Sequence, residues 1–447
     1  MTSVIIIEYG LLYWSDVKKP ENYEYDGNWY LPARLWNRLK TFDQRHAGKN
    51  KGETVFDWNN PRYAKAKSYV GIVQIPGLTI EILPKICDTH PKSEKIDAAK
   101  TAAERLEAEK KEAERIEAER KASRESLLFM LSYIKKIPLL RRNNASLRIE
   151  KMTFFEALIA LFAEMLNTEL SRGIDHAYYY REENLCRFKG KLLVNQHIRH
   201  NAAHQERVFV GFDEFVSDTW LNRIIKKCCR VLVSRTTSRQ NEKELRKALL
   251  ILDEVSDREI IMQDFDRIPL NRNTERFKDI IDFCRLILQQ RTPGFEKSQN
   301  NTFSLLFPME QVFEEFVAAV IRRSPKFKEY EVECQKPWVF ATSASDKAPF
   351  RIRPDIVLKK HGKPVLVLDT KWKLLDTNEK HFGISQDDMF QMYVYTGILK
   401  CKNALLLYPA RNEGAGTIGS YKFSEGGAVV AIKTIGVDFT KQTLKVE

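Results

Sequence analysis

Apolar residues recur at two different spacings along the chain, and the switch between them divides it. Through about residue 86 they alternate with polar ones at period two, as in Tyr69-Val70-Gly71-Ile72-Val73-Gln74-Ile75 and Leu78-Thr79-Ile80-Glu81-Ile82-Leu83, after an earlier Val4-Ile5-Ile6-Ile7 run. Successive strand side chains point to opposite faces, so this spacing predicts strands, and residues 1–92 are expected to form a mainly β domain. Composition then turns to Ala, Glu, Lys and Arg, with neither Gly nor Pro from Glu94 to Glu125. Glu107 with Lys111 and Glu117 with Lys121 stand in the supportive i, i+4 order, so residues 93–126 predict a long charged helical arm. Amphipathic stretches from Phe154 to Leu170, Thr219 to Val233, Glu242 to Val255 and Phe277 to Leu288 predict an α-helical middle domain, a linker over 127–300. The last segment, 301–447, mixes the two rhythms: a helix, strands near Tyr330-Glu331-Val332-Glu333, an apolar hairpin, a second helix through Gln391 and the run Ala404-Leu405-Leu406-Leu407-Tyr408. That order predicts an α/β domain and, for the whole chain, a multidomain fold.

Charge adds a partner to this outline. Lys and Arg number 73 against 60 Asp and Glu, a formal charge of +13 over 447 residues, which fits a polyanion. Basic residues interleave with Trp36, Phe42, Phe56, Trp58 and Tyr63 between Arg34 and Arg62, and a second basic set runs from Arg223 to Arg239. Either could track phosphates with aromatics stacking on bases; a solvated helix face is the other reading of the second set. Seven cysteines without a C-x-x-C pair argue against zinc and against a secreted disulfide framework. With no basic leader and no apolar run long enough to span a bilayer, the expectation is a cytoplasmic protein without membrane contact. His197, His200 and His204 could share a helical face, but no cysteine completes a metal set. Gly414-Ala415-Gly416-Thr417-Ile418-Gly419 has dinucleotide-loop spacing, yet Ser420-Tyr421-Lys422-Phe423-Ser424 favours strand over the required helix, so the run reads as a loop. The phosphate-cradling loop of GTPases and the nucleophile elbow of serine hydrolases are both missing, so any nucleotide motor must be another protein.

The densest chemistry is Arg353-Pro354-Asp355 followed, through Ile356-Val357-Leu358 and Val365-Leu366-Val367-Leu368, by Asp369-Thr370-Lys371. Lys360-His361-Gly362-Lys363 between the apolar runs is polar, with a glycine able to turn, so the segment predicts a β-hairpin. Antiparallel pairing brings Asp355, entering the first strand, beside Asp369, leaving the second. Alternation puts Asp369 and Lys371 on one face, with Thr370 turned away and its carbonyl near the same edge. Two carboxylates and a carbonyl are hard oxygen ligands suited to Mg²⁺, with Mn²⁺ an alternative, and a metal-activated water beside Lys371 is the equipment of a phosphodiesterase. Lys371 is read either as a positioning cation or as a base, and strand-end residues in solvent are the plain alternative for all three.

On these residues the chain resembles the PD-(D/E)xK nuclease superfamily, with Asp369 where many members have glutamate. The helical run Phe307 to Val317, the sequence Phe212-Asp213-Glu214-Phe215 leading to Leu221-Asn222-Arg223, and Asp369-Thr370-Lys371-Trp372-Lys373 are similar to McrC, the nuclease subunit of McrBC modification-dependent restriction systems. The resemblance implies a PD-(D/E)xK nuclease domain at 301–447 and an endonuclease acting on double-stranded DNA. It also implies a partner, a McrB-like AAA+ GTPase hexamer that alone binds GTP and that contacts the N-terminal region. It implies that Glu314 assists Asp355, Asp369 and the Thr370 carbonyl in holding the metal, and that Gln391, with Tyr395 at i, i+4, contacts phosphate or braces the site. A solvated helix face for Glu314 and simple packing for Tyr395 are the competing readings. A non-catalytic activator or scaffold of an AAA+ GTPase, and a self-sufficient nuclease, are the competing functions.

Overall fold

The computed structural model describes residues 2–15, 23–25, 28–49, 52–85, 102–134, 152–204, 206–269, 271–289, 302–342, 349–376, 378–410 and 416–436. Two compact units emerge: one comprises 1–136, 144–155 and 292–447, the other 137–143 and 156–291.

In the first unit the period-two segments are strands at Thr2–Ile7, Tyr69–Ile75 and Leu78–Leu83. The first and last of these run parallel, from Thr2 opposite Leu78 to Ile7 opposite Leu83. Tyr69–Ile75 pairs on its other side with Phe303–Pro308, so a strand more than 200 residues later in sequence completes this sheet. Gly71 permits that meeting: its φ is +125°, and an added Cβ would lie 2.0 Å from the Leu305 carbonyl oxygen. A second sheet of five short strands and the helix Ala33–Lys49 close over Val4, Leu12, Leu31, Leu39, Phe56 and Ile80, all solvent-free. Trp36, Phe42 and Phe56 belong to this core, which removes them from the base-stacking role considered for Arg34 to Arg62.

The charged arm is a helix, Ala102–Tyr133, and it does not stop at 126. Residues 93–101 of the expected arm lie outside the described residues. With no Gly or Pro at the expected boundary the helix runs on, and its character changes instead: Glu117 and Ala118 are exposed, whereas Leu127, Leu128, Met130 and Leu131 are buried. Arg124 anchors the transition with two bonds to Glu81 Oε2 and Oε1 through Nη2 and Nε (3.0 and 3.1 Å), the side chains being 5% and 1% exposed. Phe129 and Tyr133 then pack edge-on to Phe316.

Phe316 sits on the helix Met309–Arg323, which follows directly from Phe303–Pro308. A six-stranded sheet comes next, in the order Glu331–Cys334, Ile356–Lys360, Lys363–Thr370, Asn403–Ala410, Val429–Gly436, Gly416–Lys422. Its middle pairings are parallel and its outer ones antiparallel. Val357, Val367, Leu406, Tyr408 and Ile432 pack with Met392, Tyr395 and Leu399 of the helix Gln386–Leu399. Leu366, Leu368, Leu405 and Leu407, of opposite parity, face Phe316, Val317 and Val320. The glycine run read as a loop is strand over Gly416 to Gly419, because it pairs with Val429–Gly436; Gly414 and Ala415 lie outside the described residues.

The second unit departs from the all-helical expectation. Helices stand at Trp220–Val233, Arg239–Ile251 and Lys278–Gln289, but Ala177–Leu185, Lys191–Leu192 and Val208–Val216 form a three-stranded antiparallel sheet. Tyr178, Tyr179, Tyr180 and Phe215 are exposed on it, so no polar-apolar alternation marked these strands in sequence. Among the described residues no helix is long and apolar enough to cross a membrane.

Cutting a buried ion pair leaves an uncompensated charge in the interior. Arg124→Ala is expected to destabilise the chain by about 3–5 kcal/mol in denaturant titration. Arg115→Ala, which breaks the part-exposed pair with Glu119, is expected to cost under about 1 kcal/mol. Equal effects would show that Arg124 does not anchor the arm.

Candidate active site

The hairpin turns at His361 and Gly362, both left-handed (φ 51° and 74°), the pattern of a two-residue turn whose twist matches its strands. The register then shifts by one residue between Lys359, opposite Pro364, and Leu358, opposite Leu366, so that Ile356 pairs with Leu368 and Asp355 and Asp369 stand beside each other where the strands end. Asp355 Oδ2 accepts hydrogen bonds from the Thr370 amide (2.7 Å) and hydroxyl (2.8 Å). Thr370, expected to point away, therefore puts its side chain on the first carboxylate, because Asp355 precedes its strand and can swing across to the neighbouring one. Asp355 Oδ1 accepts from Gln335 Nε2 (2.9 Å), and the same nitrogen donates to Glu314 Oε1 (2.7 Å). Gln335 is itself left-handed, φ 53°, with its amide bonded to the Asp355 carbonyl.

On the other side, Lys371 Nζ donates to Gln391 Oε1 (2.7 Å), Gln391 Nε2 donates to the Tyr395 hydroxyl (2.7 Å), and that hydroxyl donates to the Arg353 carbonyl (3.2 Å). Helical i, i+4 spacing supports the Gln391–Tyr395 link, and the Ser385-x-x-Asp388 capping box starts this helix. Lys371 Nζ also lies 2.8 Å from Asp369 Oδ2 and 3.5 Å from Asp388 Oδ1. Asp369, only 2% exposed, thus has the Lys371 ammonium as the close partner of its Oδ2.

Acid crowding sets the electrostatics. Burial, then the Asp355 charge, pushes Asp369 up to about 6 against the pull of Lys371. Burial and the Asp355 charge likewise take Glu314 up to about 7, with the Gln335 bond opposing. Burial raises Asp355 too, although both Thr370 bonds work against it. For Lys371, burial pulls the ammonium down, but the charges of Asp369, Asp388 and Asp355 outweigh it and the net shift is upward.

The structure thus gathers Glu314, Asp355, Asp369, Thr370, Lys371 and Gln391 around one end of the sheet. Sequence reading missed Gln335, Asp388 and Tyr408. Asp388 was signalled by its capping box; nothing around Gln335 marked it. Tyr408, fully buried with an unpartnered hydroxyl among the described residues, is pushed up by burial and by the Asp388 and Asp369 charges. Lys373 turns away, donating to the Gly383 carbonyl. Among the described residues no group of three or more His, Cys, Asp or Glu side chains is arranged to hold a metal. His197 instead accepts from Asn201 and the Phe209 amide, and His200 stacks on Phe209. In the second basic set Arg223, Lys227 and Arg230 pair with Asp218, Glu259 and Asp257, and Lys226 is buried on two carbonyls, so much of its charge is already answered.

Residues 64–409 match the family profile described as McrBC 5-methylcytosine restriction system component. The chain is 24% identical over 257 residues to the Type IV methyl-directed restriction enzyme EcoKMcrBC of Escherichia coli K12, covering 53% of this chain and 72% of that one. Its fold resembles a chain of the refined half-complex of Thermococcus gammatolerans McrB AAA+ hexamers with bound McrC, with a TM-score of 0.70, 19% identity, and 99% and 97% of the two chains covered. A chain of the T. gammatolerans McrBC complex resembles it at a TM-score of 0.52 and 20% identity, over 72% of this chain and 88% of that one.

An acid whose folded pKa is raised binds its proton more tightly in the native state, so it weakens the fold above that pKa and ceases to do so as pH falls towards the ordinary value. For Asp369 the window runs from about 6 down to 3.8. Asp369→Asn is therefore expected to stabilise the metal-free protein by about 1–3 kcal/mol at pH 8, the gain shrinking as pH falls through 6 towards 4. Denaturant titrations at several pH values would reveal this; a wild type more stable than the variant at pH 8 contradicts the assigned crowding.

Proposed function

The chain belongs to the family of McrBC 5-methylcytosine restriction system components, and from that premise we propose that it is the McrC-type subunit, a PD-(D/E)xK endonuclease that cuts double-stranded DNA. The observation that carries this reading is the convergence of Asp355, Asp369 and Lys371 at one end of the sheet, with the Lys371 ammonium 2.8 Å from the buried Asp369 carboxylate. Mg²⁺ is ordinarily held through one or two carboxylates, with waters and substrate phosphates completing its shell. Two crowded acids at a strand end fit that habit. Asp355, Asp369, Glu314 and the Thr370 carbonyl would hold Mg²⁺, or Mn²⁺ in its place, and the bound ion supplies a water of lowered pKa and charge neutralisation at the phosphoryl oxygens.

Lys371 acts as a cation in this reading. A base would need a depressed pKa, and its neighbours raise it. Gln391, tethered through Tyr395 to the Arg353 carbonyl, aims the ammonium at the carboxylate edge, where it orients the nucleophile and offsets charge developing on phosphate. Gln335 spaces Glu314 from Asp355, two acids that repel when both are ionised.

Partner and setting follow the family. Likeness to chains from assemblies of McrB AAA+ hexamers with McrC supports a McrB-like AAA+ partner; in our proposal that partner is a GTPase, alone binds GTP, is stimulated by this chain and works with it in the cytoplasm. Within the chain, residues 1–92 would meet that partner, 93–126 would form an arm, 127–300 a linker, and 301–447 the nuclease. A second reading is a non-catalytic activator of the GTPase, in which the nuclease fold serves to hold DNA.

Cleavage assays with the AAA+ partner, GTP and Mg²⁺ separate the two. Asp369→Asn and Lys371→Met are expected to lose cleavage by about 10²-fold or more while GTPase stimulation persists. A wild type that stimulates GTP hydrolysis but never cuts would establish the activator reading. Cutting without partner or GTP would instead indicate a self-sufficient nuclease.

A further inference from the structure

Behind the site lies a second polar cluster, built on buried Glu8 and half-buried Lys85 from the N-terminal sheet. Glu8, 1% exposed, accepts the Trp372 indole N–H on both oxygens (2.8 and 3.1 Å) and the Lys85 amide on one (3.1 Å). Lys85 Nζ in turn donates to the Trp372 carbonyl (2.9 Å) and stands 4.6 Å from the Tyr9 ring centroid. The parallel pairing of Thr2–Ile7 with Leu78–Leu83 explains this: Glu8 continues it, its amide bonded to the Leu83 carbonyl (2.9 Å), so Glu8 and Lys85 leave the sheet side by side. Trp372, 5% exposed with its ring 5.3 Å from Phe313, is thus gripped at indole and backbone alike. The Ser68 hydroxyl stands between Glu8 and Glu310, which lies in the first turn of the helix that carries Glu314.

Trp372 is no ordinary neighbour of the site. The Lys371 amide makes the last bond to the adjacent strand, at the Leu407 carbonyl (2.9 Å), and the Lys373 amide bonds back to the Lys371 carbonyl (2.9 Å). Trp372 is therefore the corner of a three-residue turn at which the chain leaves the sheet. Packing alone would hold a corner with apolar partners, without the desolvation cost of a buried Glu8 carboxyl and a half-buried Lys85 ammonium. Directional bonds at both ends fix its orientation as well, and with it the direction in which Lys371 departs.

We propose that Glu8 and Lys85 are positioning residues for Lys371, acting through Trp372, so that the N-terminal sheet sets the geometry of the nuclease site. The proposal rests on the nuclease reading for its consequence in catalysis, though not for the clamp itself. Displacing a catalytic group by about 1 Å can cost about 10²-fold in rate, so a loosened corner should be felt in turnover rather than in DNA affinity.

Trp372→Phe keeps an aromatic ring but loses the pyrrole half of the indole together with its N–H; Glu8→Gln keeps one acceptor and removes the charge at nearly constant volume. Two measurements on the full chain test the idea. Hydrogen exchange on the protein without partner or metal is expected to accelerate about 10-fold or more at the amides of 371–373 in Trp372→Phe, with 404–408 unchanged; unaltered exchange at 371–373 overturns the clamp, whether or not the chain is a nuclease. In the complex with its AAA+ partner, both variants are expected to lower kcat for cleavage about 10-fold or more with KM for DNA and GTPase stimulation unchanged. An unchanged kcat, or a loss in KM alone, overturns the positioning role. A wild type that does not cut refutes the nuclease reading, and the exchange result then decides the clamp by itself.

Discussion

The register of one hairpin governs the rest of the site. Pairing Ile356 with Leu368, set by a two-residue turn and a one-residue shift between Leu358 and Lys359, obliges Asp355 and Asp369 to end their strands side by side, the first half-buried and the second buried. Two like charges so placed are unfavourable, and the surrounding contacts answer that cost in turn. Thr370 gives Asp355 two hydrogen bonds, Gln335 gives it a third, and Lys371 brings a cation to Asp369. What is left is an excess of acid: burial and the Asp355 charge still push Asp369 up to about 6. A fold selected only for stability would have little reason to keep that arrangement.

Distant parts of the chain hold the strand end in place. Phe303–Pro308 pairs with Tyr69–Ile75, made possible where Gly71 meets Leu305, and leads directly into the helix bearing Glu314. Glu8 and Lys85 reach the opposite flank at Trp372. Glu314 and Lys371 are thereby referred to the same sheet from two directions. The arm helix joins it too, through Arg124 on Glu81 and Phe129 on Phe316.

How much could be read in advance depended on whether burial left a pattern. Tyr69–Ile75 and Leu78–Leu83 occupy the residues their alternation marked, because the strands are short and their ends carry Gly or Pro. The hairpin was legible for the same reason, with His361-Gly362 supplying the turn. Ala177–Leu185 was not: both its faces are largely wet, so tyrosines and charges follow one another without period. Aromatics misled in the opposite sense, since Trp36, Phe42 and Phe56 look like a stacking surface beside basic residues but fill the core. At the site, Asp355, Asp369 and Lys371 could be singled out because strand geometry relates their positions. Gln335 could not, since its place depends on a left-handed residue between two short strands, and Glu8 is a lone acid whose partners lie 77 and 364 residues away.

The central claim, that Asp355 and Asp369 form one divalent-cation site, is tested most directly by anomalous diffraction from crystals soaked in Mn²⁺. The account predicts one Mn²⁺ peak bridging the Asp355 and Asp369 carboxylates in the wild type, and none there in Asp369→Asn. A wild-type crystal with full Mn²⁺ occupancy elsewhere and nothing between these two side chains would contradict it.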